Sequence, residues 1–156
     1  MRVIEAGPRS APDLNTAIGR FVCNEIWQGE RQVEDFCSIG ILDGNTLIAG
    51  VLYHNHYPEA GVIEMTAASV SKRWLTRPVL KAMFSLPFDR FGCQLAVLRV
   101  SEFNKPMLRI AKSYGFELVT IPRLRGRSEA EVICTLADDT WRNSRFHRGD
   151  MLQKAG

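Results

Sequence analysis

Several absences narrow the reading of this 156-residue chain before any motif is considered. No window approaches the run of about 18 apolar residues that spans a bilayer, and the opening MRVIEAGPRS has no apolar core of a secretory leader. The four cysteines, Cys23, Cys37, Cys93 and Cys134, stand far apart, without CxxC pairing or metal-ligand spacing. They read as buried, reduced thiols, and with no leader in view the chain is expected in the cytoplasm. Neither sign of charge dominates: 20 Lys and Arg face 17 Asp and Glu, a formal +3. That balance admits a polyanionic ligand without implying a nucleic-acid footprint. Internal repeats and low-complexity segments are also missing. With 46% apolar residues, the composition fits one compact domain over residues 1–141. The tail 142–156 is polar, has only Phe146, Met151 and Leu152 as anchors, and is expected to be loosely held.

What is present is organised around residues 62–114. A strand, VIEMTAASV, leads into a short basic turn, SKRWLTR; a helix, PVLKAMFSLPFDRFG, a strand, CQLAVLRVS, and a second helix, EFNKPMLRIAKSY, follow. Strands alternating with helices predict a βαβα unit with a locally parallel sheet. Pro78 suits a first helical turn, Pro87 is expected to end or kink that helix, and Gly92 to terminate it. Asn104 opens the next helix and Gly115 stops it.

Upstream, RVIEA predicts a strand at residues 2–6, closed by Gly7-Pro8. Ser10 with Asp13 resembles a capping box, and Leu14, Ala17, Ile18, Phe21 and Val22 recur at helical spacing, so a helix should run to Trp27. The polar run QGERQVED breaks it, and no second long helix precedes the next strand. Asp43-Gly44, between two apolar β-prone runs, predicts a hairpin with strands at 36–42 and 46–54, followed by a turn at HNHYPEAG. FELVTI and EVICTLADD, separated by the basic loop PRLRGRSEA, complete the strands.

Three features carry chemistry. Lys72, Arg73 and Arg77 surround a helix start, where unpaired backbone N–H groups and a partial positive charge suit a phosphorylated ligand; a solvated basic turn is the competing reading. Glu64 sits mid-strand on one face with Val62 and Thr66, and burying an unpaired carboxylate is costly, so it must meet a cavity, a partner or water. His54 and His56 are spaced to share a strand face, with an ordinary pKa near 6.5 that suits base work. A third metal ligand is missing beside them, so no metal is expected.

In the same stretch the sequence resembles the GNAT superfamily of acetyl-CoA-dependent N-acetyltransferases, particularly the branch that acetylates N-termini of ribosomal proteins, and short members encoded in bacteriophage genomes. The family's Q/R-x-x-G-x-G/A run after a strand aligns with Arg73, Trp74, Leu75, Thr76, Arg77 and Pro78; the leading Arg is kept and both small positions are replaced. The family's N-x-x-A/S-x-x-L-Y-x-K-x-G-F aligns without a gap from Asn104 through Ala111 to Gly115 and Phe116. The resemblance implies an α+β fold, with a mixed, mostly antiparallel sheet of about six to seven strands, a splayed parallel pair and flanking helices. It implies acetyl-CoA as cosubstrate and an amine acceptor, a small molecule or a protein. The diphosphate would lie on residues 73–78, with Asn104 on the CoA arm and the backbone of Ala67, Ala68 and Val70 on pantetheine and the oxyanion. The short segment after the first helix implies an acceptor cleft that is open or completed by a second subunit of a homodimer.

Amide formation from a thioester needs an uncharged amine, hydrogen bonds to the developing oxyanion and a route for the leaving thiolate. Glu64 is the first choice as base, with His54 and His56 as alternatives. The family position that often holds a Tyr acid is Ala111 here, and Tyr114 falls at a packing position. A thiol pKa near 8.5 lets the thiolate leave without a dedicated acid. Three function classes follow: an N-acetyltransferase, a non-catalytic CoA-binding or interaction domain of the same fold, and a nucleic-acid module using Arg123, Arg125 and Arg127. The last lacks interleaved aromatics and any nucleic-acid motif, so a solvated loop is the better reading of those arginines.

Overall fold

A computed structural model describes residues 1–144; the anchors expected at Phe146, Met151 and Leu152 lie outside them. The chain forms β1 (Arg2–Ala6), α1 (Pro12–Trp27), β2 (Cys37–Asp43), β3 (Thr46–Tyr57) and β4 (Val62–Ser69). It continues with α2 (Arg77–Ser85), a single π-helical turn (Leu86–Arg90), β5 (Leu95–Ser101), α3 (Lys105–Tyr114), β6 (Glu117–Ile121), β7 (Glu131–Ala137) and α4 (Asp138–Arg142).

Local chemistry explains most of these boundaries. The α1 stripe faces the sheet, with Ile18, Gly19, Val22 and Cys23 buried. Its start is a correction to the capping-box expectation: Ala11 is the N-cap, no side chain caps it, and Pro12 supplies the preset φ of the first turn. Thr76 and Asn104 cap α2 and α3, accepting from the amides of Val79 and Met107, each at 3.4 Å. Gly115, at φ 116°, ends α3 in the left-handed region. As expected near Pro87, the regular α-helix stops, at Ser85. The chain then widens into the π-helical turn, closed by the Phe91 amide on the Leu86 carbonyl at 3.0 Å. Strand limits also shift: β3 runs on to Tyr57, β4 ends at Ser69, β5 begins only at Leu95, and β7 stops at Ala137 because Asp138 and Asp139 begin α4.

The seven strands form one sheet in the order β1, β2, β3, β4, β5, β7, β6. Every neighbouring pair is antiparallel except β4 and β5. Helix α1 covers one face, packing Ile18, Val22 and Cys23 on Leu52 and Ala68. On the other face α2, the π-helical turn and α3 cover a larger core that includes Ile63, Met65, Val79, Phe84, Leu98 and Tyr114. The four cysteines are free thiols, and only Cys37 is not fully buried. Burial pushes the Cys134 thiol up to about 11. No helix among the described residues is long and apolar enough to cross a membrane.

Candidate active site

The parallel pair is short. β4 and β5 are in register from Val62 opposite Leu95 to Met65 opposite Leu98, and the pairing stops there. Beyond it β4 stays on β3, up to Ser69 opposite Ala49, while β5 stays on β7, up to Ser101 opposite Glu131. A gap therefore opens in the middle of the sheet. The Val70 amide donates to the Ile48 carbonyl at 2.9 Å. Peptide groups alternate along a strand, so those of Ala68 and Val70 turn toward β3 while those of Ala67 and Ser69 turn toward the gap. Of the three residues expected to offer backbone there, Ala67 has the facing peptide.

Past the gap, Ser69 and Ser71 form a tight turn, with the Ser71 amide on the Ser69 hydroxyl at 2.9 Å and the Arg73 amide on the Ser71 hydroxyl at 3.2 Å. The turn delivers Lys72, Arg73 and Arg77 to the exposed start of α2. The residues aligned with the family's phosphate loop divide: Trp74 is buried in the core and fixes the turn, whereas Arg73, Thr76, Arg77 and Pro78 are exposed and Leu75 is half-buried. Asn104 is exposed at the start of α3, and because its Oδ1 accepts from Met107 its amide nitrogen stays free to donate outward. Ala111 is 1% exposed, and Trp141 Nε1 donates to the Tyr114 hydroxyl at 3.2 Å, so both are core residues. A groove of about 470 Å³ runs between the turn and α3, with Lys72, Leu75, Leu80, Pro106, Arg109 and Ile110 among its lining.

On the α1 face of β4, Glu64 finds partners. His54 stands opposite it on β3, with Nε2 at 3.7 Å from Oε2, and Asn55 Nδ2 donates to Oε1 at 3.0 Å. His54 Nε2 also lies 2.7 Å from Thr66 Oγ1, the diagonal neighbour on the same face. Burial lowers the His54 pKa below 6.5, and the charge of Arg31 acts in the same direction, against the attraction of Glu64. The ring is thus neutral near pH 7, with one nitrogen able to accept a proton.

The expectation that His54 and His56 share a face is corrected. The register shifts between His54 and Tyr57, and Asn55 adopts φ 48°, a bulge that turns Asn55 toward Glu64. His56 instead stacks on Phe91, centroids 5.5 Å apart, and Phe91 packs on the opposite core. Asn55 and Thr66 escape a reading of the sequence as site residues because the bulge has no glycine to mark it. The alternation that groups Thr66 with Glu64 was the available signal. Arg99, just past the last β4–β5 pair, donates to buried Glu131 from Nε at 2.9 Å and Nη2 at 2.6 Å. Arg125, from the expected basic loop, lies 3.7 Å from the other Glu131 oxygen and 3.4 Å from Glu129. That arginine ties the β6–β7 loop to the sheet. Among the described residues no group of acidic, histidine and cysteine side chains could hold a metal.

No family model and no curated protein matches the sequence. Solved structures do. A spermidine N-acetyltransferase SpeG chimera from Vibrio cholerae and hSSAT superposes with a TM-score of 0.72 at 12% identity, over 92% of this chain and 100% of that one. Ribosomal-protein-alanine N-acetyltransferase from Brucella melitensis gives 0.63 at 15% identity, over 88% and 99%. A further structure assigned as an acetyltransferase gives 0.60 at 14% identity; the chain spans 60% of its length. The fold is that of the GNAT acetyltransferases, with the expected mixed, mostly antiparallel sheet and its single parallel pair.

Proposed function

We propose that this chain is an acetyl-CoA-dependent N-acetyltransferase that moves an acetyl group to a primary amine, on a small molecule or a protein, by direct attack in a ternary complex. The observation that carries the reading is the gap after Met65 and Leu98, with a basic helix start at one end and a partnered carboxylate, Glu64, on the face across from α2 and α3. In this reading the diphosphate lies over the turn from Arg73 to Pro78, taken by Arg73, Arg77 and the backbone amides of Trp74 and Leu75; the Thr76 amide, expected among them, donates to the Trp74 carbonyl at 2.9 Å. The pantetheine arm runs along Ala67, with Asn104 donating to it.

The chain's own residues then account for the proton steps. Glu64, oriented by Asn55, accepts the proton of the incoming amine directly or through one water, and His54, neutral and bonded to Thr66, is the next acceptor in line. The amine nitrogen bonds to the thioester carbon, the carbonyl oxygen takes negative charge facing the Ala67 amide, and the C–S bond breaks as the carbonyl re-forms. The thiolate leaves without a side-chain acid, since the aligned position is Ala111. His56, held against Phe91, has no part in this route.

A second reading, a CoA-binding domain without turnover, is favoured by one observation: Ala111 puts a buried methyl where a hydroxyl acid would stand. Incubation with acetyl-CoA and a broad amine panel, following free thiol release, separates the two. Thiol release that depends on an amine is the expected result. Binding without release on every amine supports the second reading.

A further inference from the structure

Two arginines flank Glu64, and the proton route uses neither. We propose that the acceptor is an amine that also carries a carboxylate, held by Arg99 and Arg31 while its nitrogen meets Glu64; this deepens, and rests on, the N-acetyltransferase reading above. Val97 stands opposite Glu64 in the parallel pair, and Arg99 lies two residues further along β5. Leu98 enters the core under α2, so alternation puts Arg99 on the face of Glu64. Strand spacing and rise then set the two Cα atoms about 8 Å apart. Val97, between them, is half-buried, which leaves the face open beside the carboxylate.

Both cations are fixed without being used up. Arg99 donates from Nε and Nη2 to Oε2 of buried Glu131, its side chain stays 41% exposed, and among the described residues Nη1 makes no hydrogen bond. Its pKa is raised, chiefly by the Glu131 bonds and in the least part by the charge of Glu64. On the other side, Arg31 lies over the Trp27 ring, 5.0 Å from the centroid, and Trp27 packs into the α1-side cluster with Leu52 and Ala68. The ring holds the guanidinium, and among the described residues Arg31 forms no ion pair. Its charge adds to burial in lowering the His54 pKa, so its field reaches the site. A polyamine would meet one available carboxylate between two cations. An amine with a carboxylate a few bonds away meets matching charges, its nitrogen at Glu64 and its anion at the open edge of Arg99. The transfer itself is unchanged: the nitrogen bonds to the thioester carbon, the C–S bond breaks, the amine proton passes to Glu64 and CoA leaves as the thiolate.

The test is a paired-acceptor assay of the full chain at saturating acetyl-CoA, one pH and one salt concentration, following free thiol release. The pairs are β-alanine with β-alaninamide and γ-aminobutyrate with its amide, and spermidine is the polycation. We expect kcat/KM for each acid to exceed that for its amide and for spermidine by about tenfold or more, mainly through KM. The amides hold more free amine at a given pH, so this preference runs against intrinsic reactivity. Arg31→Gln and Arg99→Gln should each cut the acid-to-amide ratio several-fold, and Arg31→Glu should move the preference toward spermidine. Amides or spermidine acetylated as well as the acids, or variants that slow acid and amide by the same factor, would overturn the carboxylate assignment and leave the acetyltransferase reading standing. No thiol release on any amine would overturn both. The wild-type comparison uses no variant, so it decides the matter even if loss of Arg99 disturbs folding around Glu131.

Discussion

At Glu64 the carboxylate receives one neutral donor, the Asn55 amide, and stands beside a buried ring that prefers to stay neutral. Among the described residues Glu64 makes no ion pair with a Lys or Arg, although Arg99 feels its charge, and the carboxylate keeps an oxygen able to accept a proton. Glu64→Gln keeps the shape and a carbonyl to accept from Asn55 but removes the basic oxygen. On a proven amine acceptor we predict that turnover falls by about 10²-fold or more while acetyl-CoA affinity changes little. Full turnover in the variant would make Glu64 structural and leave His54 as the candidate. His54 has a separate signature in stability. Its folded pKa is lowered, chiefly by burial, so the unfolded chain takes up the proton first as pH falls below about 6.5. The contribution is fully present above that value and is lost on acidification. Denaturant unfolding should show a smaller loss between pH 7.5 and 5.5 in His54→Gln than in the parent, and equal losses would exclude His54 as the titrating group.

The elements divide into those that the sequence announces and those it conceals. Asp43-Gly44 between two apolar runs, and Asn104 and Gly115 around a helical stripe, are local signals, and β2, β3 and α3 lie where those signals put them. The gap between β4 and β5 was legible only through resemblance, because the end of a strand pairing is a relation between distant segments. The bulge at Asn55 and the π-helical turn were not legible, since a left-handed Asn and a wide helical turn follow from how β3 and α2 pack. Gly19 shows the same kind of tertiary demand: a Cβ there would sit 2.4 Å from the ring of Phe36, on the segment between α1 and β2. Asn15 holds that segment too, donating to the Phe36 carbonyl at 2.9 Å. We predict that Gly19→Ala destabilises the fold by about 1–3 kcal/mol despite its better helix propensity. In a Phe36→Ala background the same change should become stabilising, and a loss there would show that the ring is not the obstacle. Asn104→Asp tests the other end of the site. The cap on Met107 should survive, while loss of the outward amide donor and the added charge should lower CoA affinity; unchanged affinity would leave Asn104 as a cap alone.

For the whole molecule, the sheet is one continuous layer with a break in it, and the break is bounded by parts that the rest of the fold holds on both sides. β4 is fixed to β3 and covered by α1, while β5 is fixed to β7, whose partner loop is tied down through Arg125. A ligand in the gap would bridge the two halves and add contacts that the unfolded chain cannot offer. Such a ligand stabilises by mass action: at 100 times its dissociation constant the gain is about 2.7 kcal/mol. For a chain of this length each kcal/mol moves the midpoint by about 2–4 °C, so saturating acetyl-CoA should raise Tm by about 5–10 °C. The comparison ligand is acetyl-pantetheine, which enters the gap but lacks the diphosphate and the nucleotide. It should shift Tm far less at the same concentration, because the basic turn and the α2 N-terminus would stay unfilled. No shift with millimolar acetyl-CoA would count against the cofactor reading as a whole. Equal shifts from the two ligands would place binding in the gap alone and remove the turn from Arg73 to Pro78 from the site.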